Sequence, residues 1–267
     1  MRRVIPIALG IATSALILGA CFDDAEPVTG VTSGASSDGG STAEPEASST
    51  GAEADTTGDT TGGPVECPAT CFTGRCDDVG RCVRTVFVTS DTYLPDFNNS
   101  SGADVICNAE ASGAELDGRF AALVATNGNL ASAFQHAAIS VDAPDAFTLP
   151  SQEFVGTSAD LRPDVDSGAL LTHAIDRGAD GMPPPQDVGT ACLNDSGLRV
   201  WTGLRIAQSM LETTGQCGDW NGLGNGGTGR FDELDLAWIG SAANCPCVDA
   251  VSSQPATARL YCVEVPQ

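Results

Sequence analysis

Apolar residues change their period several times between residues 85 and 267, and each change predicts an element. TVFVTSDTY at 85–93 is rich in β-branched and aromatic residues and reads as a strand. In SSGADVICNAEASGAEL, residues 100–116, Ala103, Ile106, Cys107 and Glu110 recur at helical spacing. Ser100 and Ser101 precede them as candidate N-caps, so the pattern predicts a helix with Cys107 on its buried face. RFAALVAT (119–126) reads as a second strand and NLASAFQHAAI (129–139) as a second helix. AFTLPSQEFVG (146–156) reads as short strands about a proline-containing turn, and TARLYCVEVP (257–266) as a last strand carrying Cys262. Short helices mixed with short strands and long irregular segments predict an α+β domain over 85–267, long enough for a core of its own.

The first 66 residues follow different rules. Arg2 and Arg3 precede an uncharged apolar run from Val4 to Ile17, and small residues follow at Gly19 and Ala20, the layout of a secretory signal peptide. The run contains Pro6 and Gly10 and gives way at once to Asp23 and Asp24, so it is too short to span a bilayer. Leu18, Gly19, Ala20 and Cys21 resemble the lipobox of bacterial lipoproteins. That resemblance implies a signal peptide over 1–20 and an acylated, palmitate-type anchor on Cys21 holding the mature chain to the bilayer. From 22 to 66 the chain has ten acids, no basic residue, and neither Leu nor Ile. It has too little apolar surface to offset the entropy of ordering. We therefore expect 21–66 to be a lipid-anchored disordered linker, with a reach of roughly 35 to 40 Å. A glycosylated Ser/Thr-rich stalk is the rival reading.

Composition adds a compartment and removes a class of partner. Without Arg2 and Arg3 the chain carries 10 arginines, no lysine and 35 acids, a formal charge of 10 − 35 = −25. A surface of that sign repels phosphate backbones, so nucleic-acid binding is excluded. CPATCFTGRCDDVGRC places Cys67, Cys71, Cys76 and Cys82 within sixteen residues that have almost no apolar content. In an exported chain this predicts a disulfide-stapled mini-module over 67–84, with a four-thiolate zinc site as the alternative. The connectivity stays open.

The helix bearing Cys107, VWTGL at 200–204, Cys217, Trp238, a cysteine at 245 or 247, and terminal RLYCVE together resemble the C-type lectin-like fold. VFVTSDTY and GADVICNAEA, with DSGALLTHAIDRGADG, more closely resemble a bacterial lipoprotein branch of the endostatin-like and lectin-like superfamily, whose members are largely of unknown function. The resemblance implies short helices, an antiparallel sheet and long disulfide-closed loops, with VWTGL in the core. It implies a Cys107–Cys262 bridge and a second one from Cys217 to Cys245 or Cys247. An extra bridge using Cys192 would complete the set. The calcium-binding Glu-Pro-Asn or Gln-Pro-Asp tripeptide and Trp-Asn-Asp of sugar-binding members are missing. QPA at 254–256 and DWNG at 219–222 fall in the wrong places.

No catalytic constellation emerges. His136 sits in an apolar helical stretch and His173 shares the parity of Leu171 and Ile175, so both read as packed side chains. GTSAD at 156–160 lacks the last glycine of a nucleophile elbow, and GLGNGG at 222–227 has no preceding apolar strand. We expect a cell-envelope lipoprotein, at the outer membrane and facing the periplasm or the exterior, that displays a binding module for a protein or glycan. A passive structural lipoprotein is the alternative. Within QCGDWNGLGNGGTGRFDELD, 216–235, residues 218–235 are the predicted contact loop. There Trp220 offers apolar area, Asn221 an orienting amide, and Asp232, Glu233 and Asp235 a place for a basic partner. No cofactor is expected, calcium at those acids being the one candidate. The alternative for Trp220 is a packed position beside Cys217, with the acids as a solvated face.

Overall fold

β1 (Val83–Val88) and β11 (Tyr261–Val265) come from opposite ends of the folded region and pair antiparallel at the middle of a five-stranded sheet. The computed structural model describes residues 66–142, 145–162, 170–186, 198–207, 210–213, 215–241, 245–247 and 256–267. The expected signal peptide, Cys21, the linker to residue 65, and Cys192 lie outside the described residues. In chain order the other elements are α1 (Ser100–Gly113), β2 (Arg119–Ala122), α2 (Leu130–His136), β3 (Ala146–Thr148), β4 (Phe154–Thr157) and α3 (Ser158–Leu161). Next come β5 (Arg199–Trp201), β6 (Leu204–Ala207), β7 (Met210–Thr213), α4 (Cys217–Trp220), β8 (Asn225–Gly226), β9 (Thr228–Arg230) and β10 (Cys245–Pro246). A 3-10 turn at Leu236–Trp238 lies between β9 and β10.

The order in the main sheet is β2-β11-β1-β3-β4. β11 runs antiparallel to both β1 and β2, and β3 to β4, but β1 and β3 are parallel, with Arg84 opposite Phe147. The sheet is therefore mixed, which corrects the expected antiparallel sheet. β1 and β3 are joined through α1, β2 and α2, and so long a connection permits parallel pairing. Three two-stranded ribbons, β5 with β9, β6 with β7, and β8 with β10, carry much of the chain between β4 and β11.

Alternation sends side chains from the sheet into two cores. Val86, Val88, Tyr261 and Val263 join Phe134, Phe147 and Trp238 in one. Phe87 and Cys262 join Phe120, Cys107, Trp201 and Trp220 in the other. Buried Ala103, Cys107 and Ala111 form the inner stripe of α1. Its N-cap is Asn99, whose side-chain oxygen accepts from Ser101 and Gly102 N–H at 2.9 and 3.3 Å, in place of the expected serines. Ser100 and Ser101 are already helical. VWTGL is core as expected of the lectin-like pattern: Val200, Trp201, Thr202 and Leu204 are all fully buried.

Disulfides join Cys67 to Cys76, Cys71 to Cys82, Cys107 to Cys262 and Cys217 to Cys247. They fit an oxidising, extracytoplasmic compartment. Cys217 takes Cys247 rather than Cys245, and Cys245 is itself disulfide-bonded. Among the described residues no helix is long and apolar enough to cross a membrane.

Candidate functional site

Cys217, Gly218, Asp219 and Trp220 all have φ between +50 and +68, so α4 is a single turn wound left-handed. Such a conformation costs a residue other than glycine about 1–2 kcal/mol, and three of the four are not glycine. Two contacts hold the turn. Cys217 is bonded to Cys247. Trp220 is fully buried, stacks on Phe97 at 5.0 Å, meets Trp201 edge-on at 6.1 Å, and donates its indole N–H to the Ala125 carbonyl at 2.9 Å. Trp220 is thus an anchor beneath the loop with no surface for a ligand, the packed alternative weighed from sequence. Asp219, Asn221 and Leu223 are exposed around it, Leu223 at 66 %.

The three acids have partners within the protein. Arg230 donates to both carboxylate oxygens of Asp232, at 3.0 and 2.7 Å, and its Nε lies 3.5 Å from Glu233. Asp235 caps the 3-10 turn by accepting the Ala237 N–H at 2.8 Å. Asp232 and Asp235 remain exposed and Glu233 half-buried. Among the described residues the carboxylates of these acids do not converge to within 4.8 Å as a group of three. Cys67, Cys71 and Cys76 do bring three sulfurs that close, but all three are tied up in the Cys67–Cys76 and Cys71–Cys82 bridges.

His136 and His173 lie apart from that loop in the contacts they make. His136 Nε2 sits 2.8 Å from Asp104 Oδ1, which also accepts the Ala122 N–H, so the pair ties α2 to α1 and β2. His173 Nδ1 lies 2.8 Å from the Ala174 carbonyl.

A second region was invisible to sequence reasoning. The cysteine-rich segment runs straight into β1, and its Phe72 lies over the Arg84 guanidinium at 5.5 Å, with Phe147 at 4.9 Å. Arg84 is fully buried. It donates to the Glu264 carbonyl (2.8 Å), the Ala138 carbonyl (2.9 Å), the Ala137 carbonyl (2.7 Å) and Asp145 Oδ2 (3.0 Å). Burial pulls its pKa down, while hydrogen bonding to Asp145 and the charges of Asp145 and Glu264 pull it back up. Beside it, Arg75 pairs with the buried Glu264, whose Oε2 also accepts the Thr85 N–H at 2.8 Å. Two cavities share the Phe72 ring along this seam. One of about 440 Å³ lies against Arg75, Gly118, Arg119 and Glu264, and one of about 380 Å³ against Pro68, Ala138 and Asp145. The clue in sequence was thin: Arg75 lies inside the stapled segment and Arg84 just after its last cysteine, in a chain that has few arginines.

No family model and no curated protein matches the chain.

Proposed function

We propose that the chain is a lipid-anchored lipoprotein of the cell envelope whose folded part is a C-type lectin-like module that binds an envelope or extracellular protein or glycan. The Cys107–Cys262 and Cys217–Cys247 bridges and the buried VWTGL strand support the lectin-like reading, since these are the features that carried the resemblance. The observation that carries the functional reading is α4. A strained left-handed turn persists only where its surroundings enforce it, and such strain concentrates at binding and switching sites. Here a disulfide and a buried indole hold the turn while Asn221 and Leu223 face solvent. An exposed leucine on a rigid loop loses little entropy when a partner covers it.

The anchor is tested by Cys21→Ser. The variant is expected to lose incorporation of labelled fatty acid and to move to the soluble fraction, because acyl burial contributes roughly 0.8 kcal/mol per CH₂. Unchanged labelling would refute the anchor. The loop is tested by screening glycans and purified envelope proteins, then comparing Leu223→Ser with the triple change Asp232→Ala, Glu233→Ala, Asp235→Ala. Leu223→Ser is expected to weaken binding about tenfold with no change in Tm. The triple variant is expected to weaken binding too and to lower Tm by a few degrees, since the cap from Asp235 is worth about 1 kcal/mol. Full affinity in both variants would place the contact surface elsewhere. A screen with no ligand would favour a passive envelope role.

A further inference from the structure

We propose that the cavity at the seam between the cysteine-rich segment and the sheet binds a small zwitterion with an apolar body, an α-amino acid or dipeptide. The site is separate from the 218–235 loop, and its case does not depend on that loop. Its volume of about 440 Å³ lies within the range of small-molecule sites, roughly 300–1,000 Å³.

Charge bookkeeping points to the ligand. In a chain so rich in acids, the described arginines are almost all engaged: each makes an ion pair, a hydrogen bond, a ring contact or another interaction. The side chain of Arg119, exposed at the cavity, is the exception among the described residues. Glu115 and Asp117 line the same cavity and also have no side-chain partner among them. A free guanidinium is a ready partner for a carboxylate, which it can meet with two parallel hydrogen bonds.

The floor supplies the opposite sign. Glu264 is buried, and both hydrogen bonds to its carboxylate, from Arg75 and from the Thr85 N–H, fall on Oε2. Oε1 therefore has no hydrogen-bond donor among the described residues. It stays open because residue 118 is glycine: a Cβ there would lie 3.1 Å from Oε1, and φ of +115° disfavours any other residue. An ammonium group would donate to Oε1 and to the acids at the rim. A simple anion would be repelled by Glu115, Asp117 and Glu264, and a simple cation by Arg75 and Arg119. A zwitterion satisfies both sets. Phe72, which is 41 % exposed, with Leu116 and Val265, gives its side chain an apolar wall.

The experiment is isothermal calorimetry of the full exported protein with L-phenylalanine and L-leucine. Phenylalaninamide, which lacks the carboxylate, and N-acetyl-phenylalaninamide, which lacks both charges, are the comparison ligands. Saturable binding of the free amino acids is expected, weakened about tenfold or more when both charges are masked. Arg119→Gln, at an exposed side chain with no partner to lose, is expected to weaken L-phenylalanine about tenfold while leaving phenylalaninamide unchanged. The triple loop variant should bind L-phenylalanine as the parent does, so failure of the loop reading and failure of this one are separable. No saturable binding of either amino acid would overturn the proposal. So would equal affinity for the uncharged derivative, or an unaltered affinity in Arg119→Gln.

Discussion

Replacing Cys107 and Cys262 together by alanine is expected to cost about 5 kcal/mol of unfolding free energy, read as a lower midpoint in urea. The bridge closes 155 residues, and the chain-entropy treatment of a loop that long gives this figure as an upper-end value. The position adds to the effect. Both sulfurs are fully buried in the core formed by Phe87, Phe120 and Trp201, so the bridge ties the inner face of α1 to β11 in the middle of the sheet. Domains of this size have only about 5–15 kcal/mol in total, so a loss of that size removes roughly a third or more of the stability. A loss under about 1 kcal/mol would mean that the denatured chain is already compact around these positions, and that the bridge constrains little.

The second large effect is at Arg84. Arg84→Met keeps the length and apolar stem but leaves Asp145 without its buried partner and the Ala137, Ala138 and Glu264 carbonyls without donors. Breaking a buried pair from one side costs about 3–5 kcal/mol, because the remaining charge keeps its desolvation cost and loses the compensation. Arg84→Lys should recover only part, since one ammonium cannot reproduce the planar fork that reaches four acceptors between two phenyl rings. Equilibrium unfolding of both variants checks this, and a cost under about 1 kcal/mol in Arg84→Met would show that water or Arg75 takes over. When the cost is the predicted one, a second change, Asp145→Asn, is expected to restore part of it, because it removes the stranded charge.

Much of the secondary structure was legible because it is written in local periods. TVFV, RFAALV and YCVEV alternate into two cores, and Ala103, Cys107 and Ala111 form one stripe of α1. Which strands would neighbour one another was not legible. The parallel pairing of β1 with β3 depends on where α1, β2 and α2 pack, and no window of sequence contains that information. The helix start was misplaced by one residue for a related reason. Asn99 and the serines after it are all good caps, and the choice falls to the backbone, where Gly102 approaches the Phe97 carbonyl too closely for any Cβ. The packed reading of Trp220 followed from its neighbour Cys217, since an indole next to a buried bridge has little room to face outward. Arg84 was hidden because VRTVFV reads as an ordinary strand, and its carbonyl partners come from α2's end and β11. The seam was hidden for the same cause: its lining comes from four separate stretches of chain.

The reading of the folded part as lectin-like rests above all on its cysteine framework, and non-reducing peptide mapping of the oxidised protein measures that framework directly. Peptides linking Cys107 to Cys262 and Cys217 to Cys247 are expected, with Cys67, Cys71, Cys76 and Cys82 bonded only among themselves. Cys107 linked to any cysteine of the 67–82 segment would contradict the lectin-like reading.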